Sequence, residues 1–126
     1  MQARLEHTNL TVSDPEKTAA WMEQVFGWHI RWTGAAMQTG RTVHVGTQGQ
    51  YLALFTPGNP GQPQDDNYAT IGGLNHIAVE TDDIYAMETR VKSAGFQTVN
   101  HADYEPGRRF YFHDHDNIEY EVVQYD

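Results

Sequence analysis

Leu5-Glu6-His7-Thr8-Asn9-Leu10-Thr11-Val12 and Leu74-Asn75-His76-Ile77-Ala78-Val79-Glu80-Thr81 are two versions of one pattern. Each reads as a strand with a histidine at its third position. Side chains in a strand point to opposite faces in turn. Leu10 and Val12 in the first stretch, and Ile77 and Val79 in the second, therefore share one face. The histidine takes the other, with Asn9 beside His7 and with Ala78 and Glu80 beside His76. Both strands run into aspartate and then into a helical pattern. The chain thus contains an internal repeat, which is read before any single element.

Working outward, Asp14-Pro15 opens a helix. An aspartate accepts the free N–H groups of a first turn, and proline suits the first helical position. The helix is expected from Pro15 to Phe26, with Thr18, Met22, Val25 and Phe26 as its apolar stripe and Gly27 as its stop. Strands follow at 28–33, ending in a Gly-Ala-Ala turn, at 41–47 and at 51–56. Residues 57–73 hold Pro57, Gly58, Pro60, Gly61, Pro63, Gly72 and Gly73 and read as a linker. The order then repeats. The His76 strand leads to Asp82-Asp83 and a helix bearing Ile84, Met87, Val91 and Ala94 that ends at Gly95. Strands are expected at 97–102, 108–112 and 118–125. Aligned on the repeat, Leu5 falls on Leu74, His7 on His76 and Asp14 on Asp83. The expected organisation is one domain over 1–126, with module one at 1–56, a linker at 57–73 and module two at 74–126.

Composition narrows the classes. A chain of 126 residues has one domain's worth of core. Its formal net charge of −9 argues against a nucleic-acid partner, which needs a basic face. No run of apolar residues is long enough for a membrane span, and the first residues lack the apolar stretch of a signal peptide. The absence of cysteine removes disulfides and thiolate metal sites. Together these features suit a cytoplasmic protein. Seven histidines in an acidic chain raise the prospect of a metal.

In the last strand Ile118, Tyr120 and Val122 alternate with Glu119, Glu121, Val123 and Tyr125. Glu121 then lies on the face that corresponds to the two histidines. If each half curls with its helix outside, His7, His76 and Glu121 can converge. Two imidazoles and a carboxylate leave coordination positions open and suit Fe, Mn, Zn, Ni or Co as a divalent ion. A single histidine on a strand, taken alone, is more often an ordinary packed residue; the repeat is what sets these two apart.

These stretches resemble the vicinal oxygen chelate superfamily, which includes glyoxalase I, fosfomycin-resistance proteins, bleomycin-resistance proteins and extradiol dioxygenases. The resemblance rests on Leu5 to Asp14, on Phe26-Gly27-Trp28, on Leu74 to Val79, and on Tyr111-Phe112-His113-Asp114-His115-Asp116-Asn117-Ile118-Glu119-Tyr120-Glu121. The last is similar to the family's Phe-x-Asp-Pro-Asp-Gly-Asn-x-Ile-Glu-Leu signature. Asp114 and Asp116 agree, Glu121 falls on the metal-binding glutamate, and His115, Asn117 and Ile118 depart. The resemblance implies an α+β fold of two βαβββ modules forming an incomplete, cupped β-barrel with helices outside. It also implies one divalent transition metal per site, held by His7, His76 and Glu121, in a site that draws its modules from one chain or from two. Eight strands in two open half-barrels leave edges and an apolar face to cover, so a homodimer is expected.

Departures bear on the activity. The further metal-binding glutamate of glyoxalase I falls on Ala53, and the phosphonate-binding lysine and serines of fosfomycin-resistance enzymes have no counterparts, His101 and Arg109 coming nearest. The expectation is a metal-dependent lyase, isomerase or dioxygenase acting on a small molecule with vicinal oxygens. The alternative is a metal-free small-molecule-binding protein of the bleomycin-resistance kind. Arg109 and Tyr111 share a face with His113 and can hold a carboxylate or phosphate. Tyr51 and Phe55 share the face of Ala53 and can wall an organic substrate. His44, alternating with Val43 and Val45, can face the cup as an acid or base.

Overall fold

The computed structural model describes residues 1–126. The chain divides into two units, Met1–Gly61 and Gln62–Asp126. The first unit is β1 (His7–Thr11), α1 (Pro15–Phe26), β2 (His29–Ala36), β3 (Gly40–Gly46) and β4 (Tyr51–Thr56). The second is β5 (Ile77–Glu80), α2 (Ile84–Ser93), β6 (Val99–Tyr104), β7 (Gly107–His113) and β8 (Glu119–Tyr125). Each is therefore βαβββ, as the repeat predicts. Each makes a four-stranded sheet, in the order β1-β4-β3-β2 in one unit and β5-β8-β7-β6 in the other. In both, the first strand lies parallel to the last and every other pairing is antiparallel. No helix is long and apolar enough to cross a membrane.

The helices start and stop where their end residues dictate. The Asp14 side chain accepts the Lys17 N–H at 3.2 Å, and Pro15 opens α1. Gly27, at φ 71°, closes it by donating its N–H to the Glu23 carbonyl at 3.1 Å. Asp83 caps α2 in the same way, accepting from Ala86 N at 3.0 Å.

The stripe on α1 is buried as expected, with Thr18, Met22 and Val25 at 0 % exposure, and the helix packs on β2, β3 and β4. Val43, Val45 and Leu54 are fully buried in that unit's sheet. In the second unit α2 packs on β8, and Val91, Phe112, Tyr120 and Val122 are fully buried. The Phe112 ring stacks on Tyr120 at 5.1 Å and on Phe96 at 5.6 Å. Each such side chain contributes about 1.5–3 kcal/mol by leaving water.

Several boundaries differ from the sequence reading. β1 begins at His7, so the histidine opens the strand rather than standing third in it, and β6 runs from Val99 to Tyr104 rather than over 97–102. Two further differences concern β2 and β5. Gly34-Ala35-Ala36 is not a turn but the end of β2, because all three pair with β3 (Gly34↔Thr42, Ala35↔Arg41, Ala36↔Gly40). The reversal falls instead beyond Ala36, where Met37 adopts φ 57°. The exposed Trp32 ring lies over Gly34, so that a Cβ there would come within 2.4 Å of it and the ring would have to move. The second difference is that β5 begins at Ile77, so His76 sits just before the strand rather than inside it. Residues 57–73 contain no helix or strand.

Candidate metal and ligand site

Parallel pairing places Ala78 opposite Glu121, so the chain entering β5 brings His76 beside the Glu121 carboxylate. His76 Nε2 lies 3.1 Å from Glu121 Oε1, and His76 Nδ1 lies 2.6 Å from Asn75 Oδ1. Both ring nitrogens thus face oxygen acceptors. A neutral imidazole has one N–H and can satisfy only one of them. One neutral tautomer donates Nε2–H to Glu121 while the Asn75 amide, which can turn its oxygen or its NH2 to the ring, serves Nδ1; the other donates Nδ1–H to Asn75 and leaves Nε2 free for a cation. In the second tautomer His76 Nε2 and Glu121 would be two donors for a metal, with Asn75 holding Nδ1–H.

The other Glu121 oxygen, Oε2, accepts from Arg109 Nη1 at 2.9 Å. This pair is largely shielded, with side-chain exposures of 16 % for Arg109 and 10 % for Glu121. The Arg109 guanidinium lies 5.0 Å from the centre of the Tyr104 ring. Burial works against its charge, but Tyr104 and Glu121 outweigh that and raise its pKa. Tyr111 presents its ring edge-on to His76 at 5.8 Å. Burial, and next the Glu121 charge, push the Tyr111 hydroxyl's pKa up, so it remains a donor. The second carboxylate on this face, Glu119, is 4 % exposed. It accepts from Asn67 Nδ2 at 2.9 Å and from the Tyr68 hydroxyl. Its hydrogen bond to Glu119 pushes the Tyr68 pKa up to about 12. Asn67 also donates to the Asn75 carbonyl at 2.6 Å, tying residues 67–68 to the base of His76.

In the first unit, β1 pairs with β4 so that His7 lies opposite Tyr51, and the two rings stack at 4.9 Å. Glu6 Oε1 lies 2.5 Å from His7 Nδ1, leaving Nε2 as the nitrogen placed to bind. His44 lies 4.7 Å from the Tyr51 ring and 5.0 Å from Trp32, and Arg31 lies 4.3 Å above Tyr51. Burial, then the charges of His7 and Arg31, lower the His44 pKa, so its imidazole is neutral at pH 7. Phe55 is half-buried with its ring against Gly40, apart from that ring cluster. Ala53, 2 % exposed, supplies no ligand.

Of the sequence-derived residues, His76, Glu121, Arg109 and Tyr111 come together in the second unit, and His7, Tyr51 and His44 in the first. No group of three His, Asp or Glu side chains is assembled to hold a metal ion. Glu6 and Asn75 were overlooked in the sequence, although they fill the same place in the repeat, immediately before each histidine. Tyr104 lay beyond the expected end of its strand, and Asn67 and Tyr68 lay in the linker.

The family profile of the Glyoxalase/Bleomycin resistance protein/Dioxygenase superfamily matches residues 4–122. The chain belongs to this superfamily. No curated protein is significantly similar to it. Among solved structures, a glyoxylase/bleomycin resistance protein/dioxygenase domain from Frankia sp. EAN1pec superposes with a TM-score of 0.82. It is 24 % identical, and the match covers 100 % of this chain and 94 % of that one. The fosfomycin resistance protein FosX from Listeria monocytogenes, complexed with Mn(II) and sulfate, gives a TM-score of 0.78 at 22 % identity, covering 100 % and 95 %. FosX from Mesorhizobium loti gives 0.74 at 23 % identity, covering 98 % and 92 %. At these identities the likeness is one of fold.

Proposed function

We propose that this superfamily member is a metal-dependent enzyme acting on a small molecule with vicinal oxygen atoms, as a lyase, isomerase or dioxygenase. His7, His76 and Glu121 are its proposed ligands for one divalent transition metal, Fe, Mn, Ni, Zn or Co, with the two modules drawn from one chain or from two copies in a homodimer. The reading is carried by His76, whose two ring nitrogens both face oxygen acceptors, Asn75 Oδ1 and Glu121 Oε1. The same arrangement of a preceding acceptor on Nδ1 recurs at His7. FosX, a structural neighbour, was solved with Mn(II).

When bound, the metal would polarise chelated substrate oxygens or activate O₂ beside them. The protein's own groups have distinct tasks. Asn75 and Glu6 would hold the Nδ1 side of each imidazole, leaving Nε2 for a bound ion. Tyr111 donates a hydrogen bond from its un-ionised hydroxyl. Tyr51 and Phe55 offer apolar ring surface to an organic substrate. His44, neutral at pH 7, is the acid–base candidate and accepts a proton at a ring nitrogen.

A specific contact favours a second reading. Arg109 already neutralises Glu121, as a metal would, and a metal-free small-molecule-binding protein would need nothing more. Elemental analysis of untagged protein prepared without chelator, beside His76→Ala, separates the two. A stoichiometric transition metal in the parent, lost in the variant, is the expected result. A parent that takes up no metal even after anaerobic loading overturns the enzyme reading in favour of the binding protein.

A further inference from the structure

The Arg109–Glu121 pair is built unlike the Arg41–Glu16 pair of the first unit. Arg41 grips Glu16 side-on: Nε reaches both carboxylate oxygens, at 2.8 and 3.0 Å, and Nη2 reaches Oε1 at 2.7 Å. Arg109 holds Glu121 through Nη1 alone, and its buried Nε–H has no acceptor. An arginine that leaves a buried donor unsatisfied is not in its best arrangement. Glu119 accepts from Asn67 and Tyr68 instead, and gives the Arg109 Nε–H no partner. Tyr104 gives the guanidinium a flat face to rest on without fixing its direction.

A divalent cation between His76 and Glu121 would place like charge against Arg109. A cation on Oε1 leaves Oε2 to Arg109 but draws charge from the carboxylate, and repulsion between the two positive groups rises in a shielded site. An oxyanion would relieve the conflict, since it can accept from Nε and an Nη together, in the side-on geometry that arginine favours.

We propose that Arg109 is an exchangeable counter-ion: it neutralises Glu121 while no cation is bound, and turns to an anionic group of the substrate when a divalent cation takes Glu121. This rests on the metal reading above and deepens it. The substrate would carry a carboxylate or a tetrahedral oxyanion besides its chelating oxygens. Cation and anion would then bind with positive coupling, each strengthening the other by the same factor.

Calorimetric titration tests this with Mn(II) as the cation, in chloride buffer, in sulfate and in acetate at equal ionic strength, on the parent, Arg109→Gln and His76→Ala. The expected result is that one of the two anions tightens Mn(II) binding at least about fivefold in the parent. Sulfate doing so marks a tetrahedral group, and acetate a carboxylate. Arg109→Gln should bind Mn(II) at least as tightly as the parent in chloride and lose the anion effect. If the parent binds Mn(II) in a His76-dependent way but neither anion matters, or if the effect survives Arg109→Gln, the exchange is wrong and the metal site stands. If Arg109→Gln binds Mn(II) and the parent does not, Arg109 is a fixed plug and the exchange is also wrong. If neither binds Mn(II), the metal reading falls and takes this inference with it.

Discussion

Replacing Asp114 with alanine should destabilise the protein more than its position in a turn suggests. Asp114 is 7 % exposed. Its Oδ1 accepts the backbone N–H groups of Asp116 at 2.9 Å and Ile118 at 3.0 Å, and its Oδ2 accepts the Tyr120 hydroxyl at 3.0 Å. Alanine removes both oxygens, breaks all three hydrogen bonds and leaves their donors short of partners. Each lost bond is worth about 1 kcal/mol, and a buried donor left unpaired costs about 1–3. One effect opposes this. Burial raises the Asp114 pKa, and the bonds from Ile118, Tyr120 and Asp116 only partly counter it, so the buried charge is itself unfavourable. The net loss should be about 2–4 kcal/mol. At roughly 4 °C per kcal/mol for a chain of this size, Tm should fall about 8–16 °C. Asp114→Asn keeps an oxygen for the two N–H groups and sheds the charge, so it should cost under about 1 kcal/mol or stabilise slightly. The pH dependence has a definite sign. A carboxyl raised above about 3.9 binds its proton more readily in the folded state, so this contribution is greatest at low pH and is lost as pH rises through the folded value. Calorimetry across pH 3–8 on the three proteins measures all of this. A loss below about 1 kcal/mol for alanine, or equal losses for alanine and asparagine, would refute the reasoning.

Under the proposed metal reading, Asn75→Ala should weaken Mn(II) binding about 10- to 100-fold without changing the far-UV circular dichroism, because Nδ1 of His76 loses its anchor; equal affinities by titration calorimetry would count against it. The Tyr68 pKa is raised to about 12, so the folded state favours the un-ionised phenol and stability should drop as pH climbs from about 10 to 12. Tyr68→Phe should lack that drop, and urea unfolding at pH 9 and 11 reports it. Phe112→Ala should cost about 3–5 kcal/mol, because the ring is fully buried between Phe96 and Tyr120. Glu16→Gln breaks only an exposed pair with Arg41 and should cost under about 1 kcal/mol, less in high salt; denaturant midpoints compare the two.

The fold was legible because its signals are local and occur twice. Asp14-Pro15, Gly27, Asp83 and the two apolar helical stripes each act within a few residues, and the second copy of each confirmed the first. Gly34-Ala35-Ala36 was misread because small residues that look like a turn were held in β2 by pairing with β3, a long-range cause. The site was partly legible. Strand alternation put Glu121, Arg109 and Tyr111 on one face, and the structure keeps them together with His76. Nothing local announces that Arg109 reaches Glu121, since register across β7 and β8 decides which side chains are neighbours. Asn67 and Tyr68 were hidden for a like reason: a glycine- and proline-rich segment carries no periodicity, and only the folded chain shows two of its polar residues closing on Glu119.

The parallel pairing of each unit's first strand with its last imposes an order on folding. Ile77–Glu80 has no ladder partner except β8, so the strand beside His76 stays unpaired until Glu119–Tyr125 is available. Contacts this distant in sequence slow folding, because loop-closure entropy is lost before any pairing compensates it. During synthesis the first unit can assemble as soon as β4 leaves the ribosome, while the second must wait for its final strand. A nascent chain halted just short of Glu119 would hold a finished α2 and a β6–β7 hairpin but two open edges, β5 and β7. Such edges invite pairing with other chains. Ribosome-bound chains stopped there should therefore be the length most prone to self-association and to chaperone capture.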